Sequence, residues 1–223
     1  MLQINTANER MQADKAVELA RALGYNVGDA RPTSSFIRTE QLMSATANQY
    51  TFPIRVSDPG NATYATQQLL QQQDIFVCFS IGMFVTVGAA TTFALKLYTY
   101  ENATAFTSTA NAALLTLWQG QLQITMNTIK LLPQWDLFRH YNAQSTQQQS
   151  VVAYSGATAL PYVDSTDGSS DGFYPCERGI VLNGAANTQF NVVLPGAITA
   201  VQTNSRIVFI MRGQLLVNVT TVK

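Results

Sequence analysis

One long stretch of the chain, residues 75–95, carries no charged residue. A charge-free run of this length could cross a bilayer as a helix, but this one mixes glycine and threonine with β-branched and aromatic residues, which favour extended backbone. Its apolar side chains recur at every second position, the period of a β-strand. They are Ile75, Val77, Phe79, Ile81, Met83, Val85 and Val87. We therefore predict a long buried strand over 75–87, bent or bulged near Gly82, and no membrane span.

Other segments of the chain also have the pattern of β-strands. The predicted strands span residues 50–56, 92–100, 121–127, 128–132, 179–183, 188–194 and 205–220. Pro53 places the first of these at a sheet edge or bulge, and Pro133 is expected to end the strand over 128–132. The segment 205–220 is apolar on both faces, which predicts a central strand. About eight strands without helix-strand alternation predict a mainly β protein, an antiparallel β-sandwich of jelly-roll type.

The sequence predicts one N-terminal helix and short helical insertions. Small apolar residues recur at helical spacing in a narrow stripe made of Ala13, Ala16, Val17, Ala20 and Leu23. Thr6 and Glu9 fit a capping box at the helix start, and Gly24 fits its end. The insertions are predicted over 39–47, within an irregular connection over 31–48, and over 110–118. We divide the chain into an N-terminal helical arm, 1–30, and one β-sandwich domain, 31–223, with a long loop over 142–175.

The composition restricts the partners that such a chain can have. Charged residues are 12% of the chain, with 13 basic against 13 acidic residues, so broad nucleic-acid binding is not expected. Amides and hydroxyls supply the polarity instead, and a neighbouring subunit can cover these groups without leaving buried charges unpaired. Cys78 and Cys176 are too few for a disulfide framework. The N-terminus lacks the pattern of a secretory signal, so synthesis in a cytoplasm is expected.

Aromatic residues concentrate between residues 135 and 141. The segment contains Trp135, Phe138, Arg139, His140 and Tyr141, and Trp, Tyr and Arg are common where subunit interfaces carry most of their binding energy. Asp136 and Arg139 are three residues apart, which predicts a charge-assisted pair on one turn. Together with Ala13, Val17 and Ala20 of the helix, these residues are our candidates for subunit interfaces. The helix stripe could equally pack on its own domain.

Catalytic and metal sites are not expected from the residue inventory. The chain has one histidine and two cysteines, so a zinc site is improbable and no cofactor is predicted. A hydrolase would have to use His140 with Asp136, but no Gly-x-Ser-x-Gly elbow occurs. Asp164, Asp167 and Asp171 could wrap calcium, yet they miss the EF-hand spacing. We therefore expect a protein that is not an enzyme.

Two parts of the sequence resemble structural proteins of bacteriophages. They are 120–125 running on to 132–136, and 180–184 leading to 206–209. Most of the chain, with its helical arm, low charge and apolar last strand, resembles in style single-jelly-roll capsid and other virion proteins. The resemblance implies a virion subunit that acts by self-assembly as a homo-oligomer and with other virion proteins. It differs from genome-binding coat proteins in having no basic N-terminal arm.

A carbohydrate-binding β-sandwich module is the alternative function. Lectins share sandwich folds, and aromatic and amide side chains are typical of sugar contacts. The candidate residues for this function are Trp118, Gln119, Trp135 and Asn142.

Overall fold

The structure, a computed structural model, describes residues 2–28, 30, 32–58, 64–88, 96–101, 105–142 and 172–221. Its helices are α1 (Leu2–Ala22) and α2 (Ser108–Trp118), with a 3₁₀ turn over Leu137–His140. Its strands are β1 (Tyr25–Asn26), β2 (Pro32–Leu42), β3 (Gln49–Phe52), β4 (Ile75–Val87), β5 (Gln121–Met126), β6 (Ile129–Asp136), β7 (Phe173–Asn183), β8 (Thr188–Val193), β9 (Ser205–Leu216) and β10 (Thr220–Thr221).

The long strands form two four-stranded antiparallel sheets. Sheet I has the order β2-β9-β4-β7 and sheet II the order β3-β8-β5-β6, while β1 and β10 pair separately. A shared apolar core joins the two sheets. At its centre Phe209 of sheet I meets Phe52 and Phe190 of sheet II edge-on, with ring centroids 5.0 and 4.9 Å away. The prediction of a mainly β chain is confirmed, and so is the central position of the strand that begins at Ser205.

Strand β4 has the predicted bounds but changes face along its length. A bulge between Cys78 and Ser80 shifts its register with both neighbouring strands. Before the bulge, Ile75 and Val77 face away from sheet II, whereas after it Ile81, Met83 and Val85 lie in the shared core. The predicted single apolar face was therefore wrong, because one bulge residue inverts a period-two pattern. We expected a bulge near Gly82, and it lies slightly earlier in the strand, between Cys78 and Ser80.

Helix α1 packs on the outer face of sheet I, the face away from sheet II. Ala16 and Ala20 are fully buried there against Val77, Val181 and Leu216. The small alanine side chains let the helix axis approach the sheet closely. The capping-box prediction at Thr6 was wrong, since α1 begins at Leu2. Its end is confirmed: Gly24 has φ of +81° and donates its N–H to the Arg21 carbonyl.

The structure differs most from the sequence-based prediction over the segment 31–48. We expected an irregular connection with a helix over 39–47, but β2 pairs with β9 from Pro32 opposite Leu216 to Leu42 opposite Arg206. Its Ile37 faces the core, but the other residues on that face are threonine, serine and glutamine. That face lacks the apolar alternation by which strands are recognised, so only the pairing partner reveals it.

Smaller differences concern the ends of other elements. Strand β6 continues through Pro133 to Asp136, which is possible because an edge strand leaves one side of its backbone unpaired. Strand β7 begins at Phe173, inside the predicted loop 142–175. Of the predicted strand 92–100, residues 92–95 lie outside the described residues, and Tyr98 forms only an isolated bridge with Val85. The predicted insertion over 110–118 is confirmed as α2.

No helix in the described ranges is both long enough and apolar enough to cross a membrane.

Gly213 provides a test of the packing at the bulge of β4. It lies opposite Cys78, and a Cβ atom there would overlap the carbonyl oxygen of Val77. We expect Gly213→Ala to lower the free energy of unfolding by about 3 kcal/mol, because backbone must move to admit it. Gly196 has open space around its missing Cβ, so Gly196→Ala should change stability by less than about 0.5 kcal/mol. Urea unfolding measures both; equal effects would contradict the bulge geometry.

Candidate functional site

The structure separates the two groups of predicted interface residues. On α1, Ala20 is buried against sheet I, and Ala13 and Val17 are partly exposed beside it. The stripe therefore packs mainly on its own domain. The aromatic segment lies elsewhere, where β6 passes into the 3₁₀ turn.

His140 occupies the buried half of the aromatic segment. Its side chain is fully enclosed, its Nε2 accepts a hydrogen bond of 2.8 Å from Trp135 Nε1, and its Nδ1 lies 2.8 Å from the Gly172 carbonyl oxygen. Because Nε2 is an acceptor and Nδ1 faces a carbonyl, the imidazole is neutral with its proton on Nδ1. Both ring nitrogens are occupied, so His140 ties the 3₁₀ turn to the start of β7.

The surroundings of His140 favour this neutral form. Burial lowers its pKa from 6.5 to about 4, and the nearby Arg139 adds to the lowering. The Gly172 hydrogen bond and the Asp136 carboxylate act in the opposite direction but are weaker. Desolvation therefore dominates, because an imidazolium here would lose its hydration without gaining a buried counter-ion.

Arg139 lies on the exposed half of the segment, between two aromatic rings. Its guanidinium carbon is 5.1 Å from the Trp135 ring centroid and 4.9 Å from that of Tyr174. The predicted pair with Asp136 does not form, since the Asp136 carboxylate instead accepts the backbone N–H of Phe138 at 3.0 Å. Within the part of the chain that the structure describes, no carboxylate lies within ion-pair distance of Arg139. The ring contacts hold the guanidinium in place while it stays accessible.

Phe138 and Tyr141 complete this exposed surface. Their rings stack at 5.4 Å and 10°, and Phe138 is 54% exposed. Tyr141 donates a hydrogen bond of 2.9 Å to the Glu101 carboxylate, and burial together with this bond raises its pKa to about 12. We call Phe138, Arg139, Tyr141 and Tyr174 the aromatic patch. Tyr174 was missed because the loop separates it from the others in sequence.

The residues proposed for sugar contact are mostly not accessible. Trp118 is fully buried in the core and Trp135 is 9% exposed. Their rings pack within the protein in edge-to-face contacts, Trp118 with Tyr141 and Trp135 with Tyr174. Asn142 is partly buried and bonded through its backbone to Thr99. These residues therefore do not form a sugar-binding surface, and Gln119 alone of the group is exposed.

A buried ionic cluster on the outer face of sheet I was not predicted. Glu40 of β2 and Arg206 of β9 form an ion pair of 2.6 Å, and both side chains are completely buried. Glu40 also accepts hydrogen bonds from Arg38 at 2.8 Å and from Thr66. The Arg206 guanidinium lies 4.8 Å from the Tyr64 ring centroid. No local pattern could indicate the pair, because its members are 166 positions apart.

Among the residues that the structure describes, no three His, Cys, Asp or Glu side chains are grouped so that they could hold a metal ion. The possible calcium ligands Asp164, Asp167 and Asp171 lie outside those residues. No protein-family model, curated protein or solved structure matches the chain.

The low pKa of His140 predicts a pH-dependent stability. Stability is full above pH 6.5 and falls as the pH drops towards 4, because the unfolded chain takes up the proton first. The loss should reach about 3 kcal/mol near pH 4. Glutamine carries an NH₂ donor group and an acceptor oxygen but does not titrate, so His140→Gln should flatten this part of the pH profile. Urea unfolding between pH 7 and 4 measures it, and an unchanged slope in the variant would assign the effect to other groups.

Removing one member of the buried ion pair should be costly. We expect Glu40→Ala to lower the free energy of unfolding by about 3–5 kcal/mol, because the buried Arg206 charge then loses the Glu40 carboxylate. The double variant Glu40→Leu with Arg206→Met should recover most of this loss. The exposed Glu177 serves as a matched control, with Glu177→Ala expected within about 0.5 kcal/mol. If Glu40→Ala is no worse than the control, the pair does not hold the sheet face together.

Proposed function

We propose that this chain is a structural subunit of a virus particle, a bacteriophage capsid or virion, that acts by assembling with copies of itself and with other virion proteins. The strand order carries the proposal. Among β2 to β9 the first strand pairs with the last, the second with the seventh, the third with the sixth, and the two middle strands with each other. A long antiparallel hairpin wound into two sheets would give this order, which supports a fold of jelly-roll type.

The outer face of sheet II supports a role in assembly. The edge strand β6 adds the charged Lys130 and Asp136 to this face. On the other three strands its outward side chains are mostly uncharged amides and hydroxyls: Gln49, Thr51, Gln123, Thr125, Gln189 and Asn191. Thr51 and Asn191 form a cross-strand hydrogen bond of 2.9 Å. Covering such a face costs less than covering charges, since amides and hydroxyls can exchange water for neutral partners.

The aromatic patch is a second surface suited to contact with a neighbouring subunit. An exposed phenylalanine, an arginine fixed between aromatic rings and two tyrosines are the side chains enriched in binding hot spots. The Arg139 guanidinium stays accessible, so it can pair with a carboxylate or carbonyl of a neighbouring subunit. Its rigid position means that little side-chain entropy is lost on binding.

The charge balance bears on the other components of the particle. With 13 basic and 13 acidic residues, the chain has no net attraction for a polyanion, so the proposal places the subunit in the shell without broad contact to the genome. Synthesis in the host cytoplasm followed by assembly into the virion is part of the same proposal.

The alternative, a carbohydrate-binding module, is equally compatible with a jelly roll, because lectins share this fold and a fold alone does not determine function. The burial of Trp118 and Trp135 removes the residues on which it rested.

Assembly and the role of the aromatic patch can be tested together. The purified chain should form an oligomer or particle in light scattering and electron micrographs. Phe138→Ser should weaken association by about tenfold or more, since hot-spot truncation costs about 2 kcal/mol. Phe36, 44% exposed on sheet I, is the matched control, and Phe36→Ser should assemble normally.

Two outcomes of this experiment would count against the proposal. A monomeric wild-type protein at high concentration would overturn the assembly function. Wild-type assembly by Phe138→Ser, with an unchanged melting temperature, would overturn only the role of the patch.

A further inference from the structure

The two cysteines of the chain meet in sheet I, where the regular pairing of β4 with β7 is interrupted. At the bulge of β4, Phe79 alone lies opposite residues 176–179 of β7. Cys78, next to the bulge, and Cys176 both belong to the apolar core shared with sheet II. Their side chains lie within hydrogen-bonding reach of each other. The irregular pairing thus places two thiols side by side that are far apart in sequence.

The backbone at this place suits a bond between the two sulfurs. A disulfide needs Cα atoms about 4.4–6.8 Å apart, and neighbouring strands lie about 4.8 Å apart. Cys78 and Cys176 are on neighbouring strands, and both side chains face sheet II. The segment 176–179 is not fixed by regular pairing with β4, so it can make the small shift that an S–S bond of about 2.05 Å requires.

The two thiols differ in access to solvent and in acidity. Cys78 is completely buried, and burial together with the hydrogen bond to Cys176 raises its pKa well above the ordinary value. The same hydrogen bond lowers the pKa of Cys176, outweighing the opposite effect of burial. Cys176 lies on the edge strand of sheet I, and its chain neighbours on both sides are exposed. A reagent from solution therefore reaches Cys176 before Cys78.

We propose that Cys176 and Cys78 form a reversible disulfide by exchange with a small-molecule disulfide, with Cys176 as the attacking thiol and Cys78 as the resolving thiol. The Cys176 thiolate attacks one sulfur of the reagent, forms a mixed disulfide and releases one reagent thiolate. Cys78 then loses its proton and attacks the Cys176 sulfur, which releases the second reagent thiolate. In total the cysteine pair gives up two protons and two electrons, and the reagent takes up both to become two thiols. The proposal does not depend on the proposed virion function.

The bond would fix the edge of sheet I and the helix that packs on it. The segment of β7 at the bulge already contacts α1, because Lys15 Nζ donates a hydrogen bond of 2.8 Å to the Glu177 carbonyl oxygen. A disulfide between β4 and β7 would close a loop of about 100 residues, which restricts the unfolded chain strongly. We expect the oxidised protein to melt about 5–10 °C above the reduced protein.

Oxidation of the full chain by glutathione disulfide tests the proposal. After an acid quench, alkylation and mass spectrometry count the free thiols and the bound glutathione. We expect the wild type to form one disulfide within the chain, which excess reduced glutathione reverses. Cys78→Ala should stop at one glutathione bound to Cys176, because the resolving thiol is gone. Cys176→Ala should bind none, since the remaining Cys78 is completely buried.

A second measurement needs no variant and so does not depend on the folding of one. Pulse labelling of the reduced wild type with a maleimide should modify Cys176 at least about tenfold faster than Cys78, because thiolate and access favour Cys176. Equal labelling rates would overturn the assigned roles. Two bound glutathiones, a disulfide between chains, or no protein disulfide where Cys78→Ala is modified would overturn the proposal itself. Melting temperatures show which variants are folded.

Discussion

The fold depends on the two-sided burial of the central strands of sheet I. Strands β4 and β9 carry apolar side chains on both faces, and water can be excluded from both only if each face is covered. Sheet II covers one face through the Phe52, Phe190 and Phe209 contacts. Helix α1 covers part of the other through Ala16 and Ala20. The N-terminal helix is thus a part of the domain's packing and not a free arm.

The outer face of sheet I changes in character along its length. Near α1 it is apolar, and towards the other end it carries the buried Glu40 and Arg206 pair. A buried pair of this kind adds little net stability relative to apolar residues, but it specifies one register of β2 on β9, because a slip by one residue would leave both charges unpaired.

The aromatic segment shows how one stretch can serve both structure and surface. Trp135 and His140 point inward and join the 3₁₀ turn to β7, whereas Phe138 and Arg139 point outward. The neutral, enclosed His140 fixes the 3₁₀ turn, and the turn positions the exposed side chains of the aromatic patch. Interface candidates chosen from composition alone therefore divide into those that hold the surface in place and those that a partner can touch.

Local pattern determined the strands at Ile75, Gln121, Thr188 and Ser205, and the helix that ends at Trp118, because their apolar residues repeat at the period of the element that they form. It did not determine β2, whose inner face is polar apart from Ile37, or the face of β4, which a single bulge residue inverts. Nor could it bring Glu40 to Arg206 or Tyr174 to Arg139. Those contacts join segments far apart in the chain, and only the pairing of strands into sheets, driven by burial of both faces of β4 and β9, decided them.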